Sequence, residues 1–237
     1  MIAQPLIDWL FDGAMLDIGL LHYIAWLWKH TLICGKTGSG KSVALLLLLA
    51  KIAKYAPDTL AYFLDYKAQF KGLAGTTRYF AFKDCDAGME AFQQEFEARQ
   101  GDNPATTPLL LVCDEWGAFA NSSQEKKLND KRKAMLDEYA SLGRSMNVTV
   151  IIGIQRPDIA NYFTSGATRD QFNCVLNLNK VTSGAKNMLF PDNKDDIDVE
   201  VGVAQGYFEQ AGKFYRVDVP EVHDEAAMLT AIREILG

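Results

Sequence analysis

Gly35-Lys36-Thr37-Gly38-Ser39-Gly40-Lys41-Ser42 is the stretch whose reading decides the fold. It fits the pattern G-x-x-x-x-G-K-[ST], with the short apolar run Thr31 to Cys34 before it and Val43 to Ala50 after it. A strand, a glycine-rich turn and a helix in that order form a loop whose backbone N–H groups, with the positive end of the helix, face a nucleotide's phosphates. Lys41 is expected to reach the β- and γ-phosphates, and the Ser42 hydroxyl to hold Mg²⁺. The stretch predicts that the chain binds a nucleoside triphosphate, taken as ATP.

Outward from the loop, strands and helices alternate. Thr31 to Cys34 reads as the first strand and Lys41 to Tyr55 as the first helix. Further strands are expected at Leu60 to Leu64, Thr77 to Phe82, Leu109 to Cys113, Val148 to Ile154 and Phe172 to Leu178. Helices are expected from about Asp86 to Ala98 and from a Ser122/Glu125 capping box to Gly143. A hairpin over Gly206 to Gln210 and Phe214 to Val219 and a closing helix, Asp224 to Leu236, complete the series. The uninterrupted apolar run Leu109 to Cys113 marks a central parallel strand covered on both faces. The alternation predicts an α/β fold with a mostly parallel sheet over residues 31–237. Residues 1–30, rich in aromatics, are expected to be a helical or mixed lead-in that packs on it.

Composition narrows the setting. The 237 residues are 49% apolar and carry a net charge of −6, so the chain has enough apolar material for one substantial core. No general basic surface advertises nucleic acid, and any such contact must be local or arise in an assembly. The four cysteines are dispersed without a C-x-x-C or Cys/His cluster, as expected of reduced, buried thiols in a cytoplasmic protein. Met15 to Trp28 is too short and too polar to span a bilayer, and no signal peptide is expected.

Asp114-Glu115 follows the central strand. Asp114 is placed to hold the Mg²⁺ water shell opposite Ser42, and Glu115 to take a proton from the water that attacks the γ-phosphate. Gln155, ending the strand Val148 to Ile154, is placed to sense the γ-phosphate or that water. Arg144, after Gly143, is either a solvated helix-terminal cation or an arginine finger for a neighbour's triphosphate. A GTPase would need an N-K-x-D guanine reader, and Asn179-Lys180-Val181-Thr182 lacks the acid. Nothing between Lys41 and Asp114 resembles the signature of a transporter ATPase. The length of that segment instead allows extra strands between the two motifs, as in motor-type P-loop ATPases.

Taken together, the phosphate loop, Asp114-Glu115, Leu142-Gly143-Arg144-Ser145 and Ile154-Gln155-Arg156-Pro157 resemble, in order and context, the FtsK/SpoIIIE-type DNA translocases. Asp65-Tyr66-Lys67 resembles that family's Asp-Pro-Lys step with Tyr66 in place of proline. Thr168-Arg169 resembles its Thr-Arg step, and Gln205-Gly206-Tyr207 its terminal hairpin. Gly72 to Gly75 and Asn187 to Phe190 look closer to the short members on conjugative elements and phages. The resemblance implies a RecA-like motor domain working as a homo-oligomeric ring, usually a hexamer, with ATP sites between subunits. Arg144, or as second candidate Arg169, would be the trans-acting arginine. Double-stranded DNA would thread the channel and touch loops near Lys67 and Lys71 and near Tyr162 to Arg169. Without a transmembrane region or a winged-helix extension, targeting is expected to come from membrane, relaxase or packaging partners. Related rings move polypeptides, so a coupling or secretion ATPase with protein cargo is the alternative.

Overall fold

The computed structural model describes residues 29–100, 107–157, 162–198, 201–210 and 212–237. All but the last two residues of the expected lead-in therefore lie outside the described residues, as does most of the loop after Gln100. Eight strands form one sheet in the order β3-β2-β4-β5-β1-β6-β7-β8. They are β1 (Thr31–Cys34), β2 (Leu60–Asp65), β3 (Tyr79–Ala81), β4 (Leu109–Cys113), β5 (Val148–Ile154), β6 (Cys174–Leu178), β7 (Gln205–Gln210) and β8 (Lys213–Asp218). The first six are parallel, whereas β7 and β8 join antiparallel at the β6 edge.

The described helices are α1 (Lys41–Tyr55), α2 (Cys85–Ala98), α3 (Trp116–Ala120), α4 (Lys126–Leu142), α5 (Gly166–Asp170), α6 (Ser183–Leu189) and α7 (Glu225–Leu236). The alternation of side chains along each strand divides the core in two. Leu110, Val112, Ile33, Ile151 and Phe63 face α1 and α7, while Leu109, Leu111, Leu32, Val150 and Leu64 face α2 and α4. Apolar helices cover both faces, which is why the strands read as unbroken apolar runs. All four cysteines are buried and unbridged.

Several boundaries depart from the sequence reading, and four of them have a clear local reason. β3 is shorter than Thr77 to Phe82 because the Thr77 and Arg78 amides donate to the carbonyls of Gly237 and Leu236 at the end of α7. At its other end, Phe82 turns to a left-handed φ of 51°. β6 begins at Cys174 because the Phe172 amide still donates to Arg169 O, closing the turn after α5. The Ser122/Glu125 capping box does not form. Glu125 occupies the N-cap of α4 without a side-chain cap, and Ser122 Oγ instead accepts from Arg132 Nη1. The buried Arg132 is in turn bidentate to Asp86, a charge-assisted pairing that outcompetes a neutral cap. The short helix α3, directly after Glu115, has no counterpart in the sequence reading.

Candidate functional site

The phosphate loop joins β1 to α1 at the carboxyl edge of the sheet. The Gly35 amide donates to Ile154 O at 3.0 Å, which ties the loop's entry to β5. Gly38 and Gly40 then take φ values of 79° and 93°. Such left-handed geometry is strained for a residue with a Cβ and free for glycine. Gly40 directly precedes α1, so the turn ends where Lys41 and Ser42 begin the helix.

Sheet order brings the second motif to the first. β5 lies between β1 and β4, which places Gln155, at the end of β5, between the phosphate loop and Asp114-Glu115 at the end of β4. Ser42 Oγ stands 3.5 Å from Asp114 Oδ1. Lys41 Nζ donates to Asp114 O at 2.9 Å and to Glu115 Oε2 at 3.2 Å. Gln155 Nε2 donates to that same oxygen at 2.9 Å, and so does Lys67 Nζ at 2.9 Å. The residues singled out as Lys41, Ser42, Asp114, Glu115 and Gln155 thus meet at one point.

Two adjacent buried carboxyls are tuned in opposite directions. Burial pushes the Asp114 carboxyl above the ordinary carboxylate range, and the neighbouring Glu115 charge adds to the push against the opposing pull of Lys41. Burial acts on Glu115 too, but the Lys41 charge and the hydrogen bonds from Lys67 and Gln155 outweigh it and hold the carboxyl below its usual value. An acid pair whose environments separate its members marks a division of labour.

Ser42 and Asp114 supply a facing hydroxyl and carboxylate, the hard oxygen donors that Mg²⁺ takes. Among the described residues no group of three or more His, Cys, Asp or Glu gathers around one point.

Two parts of the site were not read from the sequence. One is Gly153. A Cβ there would sit 2.0 Å from Asp114 O and 3.3 Å from Lys41 Nζ, so the bare backbone of β5 is what lets the Asp114 carbonyl approach Lys41. The signal was present as a single glycine inside the otherwise apolar strand Val148 to Ile154. The other is the far end of the cleft, which has a volume of about 710 Å³. Beyond the loop it is walled by Val203, Ala204, Val219, Pro220 and Val222 around the terminal hairpin. Ala204 N–H donates to Ser39 O, and Val219 N–H to Ala204 O, which locks this apolar wall onto the phosphate loop.

The remaining candidates lie elsewhere. Arg144 is exposed in the 3₁₀ turn Gly143–Met146, before β5. At about 3.3 Å per residue, the seven residues of β5 set it on the order of 20 Å from the phosphate loop of its own chain. Arg169 is held within its chain, donating through Nη2 to Leu189 O, with Nη1 3.9 Å from Asp170. Lys71 is exposed at the start of the 3₁₀ turn Lys71–Leu73. Lys67 lies in the nucleotide cleft, on Glu115, rather than on an outlying loop.

The fold and site define a P-loop NTPase with an acidic pair at the end of a central strand. Residues 14–100 match the FtsK/SpoIIIE family model. No curated protein matches it significantly. Among solved structures it is similar to the conjugation coupling protein TcpA of pCW3 in a form with ATPγS, with a TM-score of 0.64 and 19% identity over 84% of this chain and 62% of that one. Similar too are ATPases 2 and 3 of EssC from Geobacillus thermodenitrificans (0.61, 15%, over 89% and 44%). A third is the genome packaging NTPase B204 of Sulfolobus turreted icosahedral virus 2 in complex with AMPPCP (0.58, 11%, over 83% and 100%). The chain spans less than two thirds of the TcpA and EssC chains, and at these identities the likeness is one of fold. Among the described residues no helix is long and apolar enough to cross a membrane.

Proposed function

We propose that this chain hydrolyses ATP and, as one subunit of a homo-oligomeric ring, uses the energy to move double-stranded DNA. The observation that carries the hydrolytic part is Glu115, a buried carboxylate held by Gln155 and two lysines beside the phosphate loop. On this reading, Lys41 moves from Glu115 to the β- and γ-phosphates. The freed carboxylate takes a proton from the attacking water as the bond to the γ-phosphorus forms and the bond to the ADP oxygen breaks. Gln155 orients that water or carboxylate. Ser42 and Asp114 would hold Mg²⁺, which neutralises phosphate charge when bound.

Arg144 fits the trans-acting role better than Arg169, because it is exposed and remote from its own site while Arg169 is engaged internally. A ring, six subunits on the family pattern, would carry each Arg144 to a neighbour's cleft, and an isolated monomer would bind ATP but turn it over slowly. Lys71 and the segment around α5 remain candidates for contact with the DNA backbone. Partners in the membrane, a relaxase or packaging proteins would supply targeting to a cytoplasmic ring.

A second reading, polypeptide cargo, rests on two observations. The chain is acidic, and one of its two candidate DNA lysines, Lys67, is occupied at Glu115. The deciding test is turnover of the assembled ring with and without long double-stranded DNA, with Glu115→Gln as the blank. DNA stimulation that vanishes in the variant is expected. Turnover unchanged by DNA in a verified ring overturns the DNA reading and favours protein cargo.

A further inference from the structure

Glu115 is held through its backbone as well as from the cleft. It is the N-cap of α3, and the Phe119 amide donates back to Glu115 O at 3.1 Å. Trp116–Ala120 therefore forms one turn with the Glu115 backbone as its first member, and whatever shifts the turn shifts the carboxylate. Arg132 fixes the far end of that turn. Its Nη1 donates to Phe119 O at 2.8 Å, its guanidinium lies 4.5 Å from the centre of the Phe119 ring, and its Nε and Nη2 grip Asp86 of α2.

The near end is tied in another direction. Trp116, the first residue of the turn, is fully buried, and its Nε1–H donates to Tyr162 O at 2.9 Å. A buried indole N–H needs a partner, and this one takes it from the chain beyond β5. The next residue reinforces the contact. A Cβ at Gly117 would stand 2.3 Å from Tyr162 Cε1, so the tyrosine ring lies against bare backbone. Tyr162 is thus engaged by α3 through both its carbonyl and its ring.

From Tyr162 the chain stays anchored on its way to α5. Phe163 is buried, its ring centre 5.6 Å from that of Phe172. The Thr164 amide and hydroxyl both donate to Asp137 Oδ2 of α4, the amide at 2.9 Å. Asp137 itself lies outside the nucleotide cleft. A continuous path of contacts therefore runs from Asp137 through Thr164, Tyr162 and Trp116 to the backbone of Glu115.

We propose that Trp116 is a positioning residue through which the segment Tyr162 to Ser165 sets the place of Glu115. The indole suits the task, being a large rigid strut with few rotatable bonds. A carboxylate that must meet the attacking water within hydrogen-bond reach loses rate steeply when it is misplaced by about 1 Å. The proposal rests on the reading of Glu115 as the proton acceptor. Joined to the DNA reading, in which the segment around α5 touches the cargo, it makes Trp116 the residue through which cargo is felt at the site.

The test uses the full chain in its assembled state, with ATP as substrate. Trp116→Phe keeps an aromatic ring and loses the bond to Tyr162 O. Its kcat is expected to fall about three- to tenfold with the KM for ATP unchanged. Asp137→Ala, remote from the nucleotide, releases Thr164 and should lower kcat about two- to fivefold, again at constant KM. The double variant should fall no further than Trp116→Phe alone, because both loosen one path. Asp137→Ala, at a partly exposed position, decides the matter even where Trp116→Phe does not fold. A parental kcat in either variant overturns the proposal, and so does a raised KM at full kcat. With long double-stranded DNA added, the stimulation of the parent should shrink in Trp116→Phe, and stimulation kept in full overturns the link to cargo. A parent that DNA does not stimulate removes the DNA reading, and the comparison of kcat without DNA still judges the positioning role. Hydrolysis that survives in Glu115→Gln removes the base reading and the proposal together. Its loss there, with the Trp116 and Asp137 variants at parental kcat, removes the proposal alone.

Discussion

The two edges of the sheet bury ionisable groups equally deeply and deal with them in opposite ways. At the carboxyl edge Glu115 stays charged, because Lys41, Lys67 and Gln155 return more than burial takes away. At the amino edge His30, just before β1, is held neutral. Burial pulls its pKa down to about 4, the nearby Arg144 charge adds to that, and a hydrogen bond to the Ala140 backbone only partly opposes it. Its Nδ1 accepts from the Val150 amide at 3.1 Å, a bond that needs the unprotonated nitrogen. A buried group keeps its charge where charges of opposite sign are built around it, and gives it up where it meets backbone and a charge of its own sign. The first arrangement leaves a charged carboxylate, and the second leaves a fixed strand.

The contrast can be broken most severely at Lys41. Lys41→Ala removes the cation that offsets the burial of Glu115 and the group meant for the phosphates, and we expect turnover to fall at least ~100-fold, measured as phosphate release beside titration with a fluorescent nucleotide. Near-normal turnover would mean that the carboxyl edge works without its compensating charge. Gly153→Ala comes next. Its methyl would collide with Asp114 O, and overpacking of this kind costs about 1–3 kcal/mol. A lower urea midpoint and a reduced kcat should appear together, because the displaced carbonyl is one that Lys41 holds; a lower midpoint with unchanged kcat would separate packing from the site.

At the amino edge the test is pH. The folded pKa of His30 lies below its unfolded value of about 6.5, so the unfolded chain binds more protons between pH 6.5 and 4. Stability is therefore full above pH 6.5 and falls as pH drops through that window, by about 3 kcal/mol from this group. His30→Asn, which retains an acceptor for Val150 N–H but cannot titrate, should flatten the urea midpoint against pH across the window. A slope as steep as that of the parent would show that other groups carry it. The smallest effect is expected where the carboxyl edge turns apolar. Val203, 68% exposed at the far wall of the cleft, contributes surface and no charge. Val203→Ser should raise the KM for ATP a few-fold and leave kcat alone, the mark of lost uniform binding.

What was legible in the sequence follows from how local each signal is. The bounds of β1, α1, β4 and β5 emerge as read, because each is a continuous apolar run closed by its own punctuation: Gly35, Pro57, Asp114 and Gln155. The meeting of Ser42, Asp114 and Gln155 was legible for a related reason, since parallel strands all deliver their carboxyl ends to one edge. Lys67 was read as a candidate DNA contact on a loop, because nothing near it in the chain reveals Glu115 at 2.9 Å. The cap of α4 was misread because Ser122 is claimed by Arg132 from a later turn of that helix. The apolar wall at Val203, Ala204 and Val219 to Val222 was illegible for the plainest reason. Such a wall is a shape, assembled by tertiary contacts from residues that carry no distinguishing chemistry of their own.

The bond from the Ala204 amide to Ser39 O, and that from Val219 to Ala204, have a consequence for the order in which the molecule is made. The outer wall comes from residues synthesised long after the phosphate loop, so the cleft closes only after a long loop has been drawn shut against its entropy. A nucleotide that spans both walls binds the closed arrangement and not the unravelled one, and its binding energy adds to the stability of the β7–β8 edge. That hairpin is then the part of the sheet whose amide exchange should slow most when ATP is present. The bound nucleotide would then act as the last tertiary contact of folding.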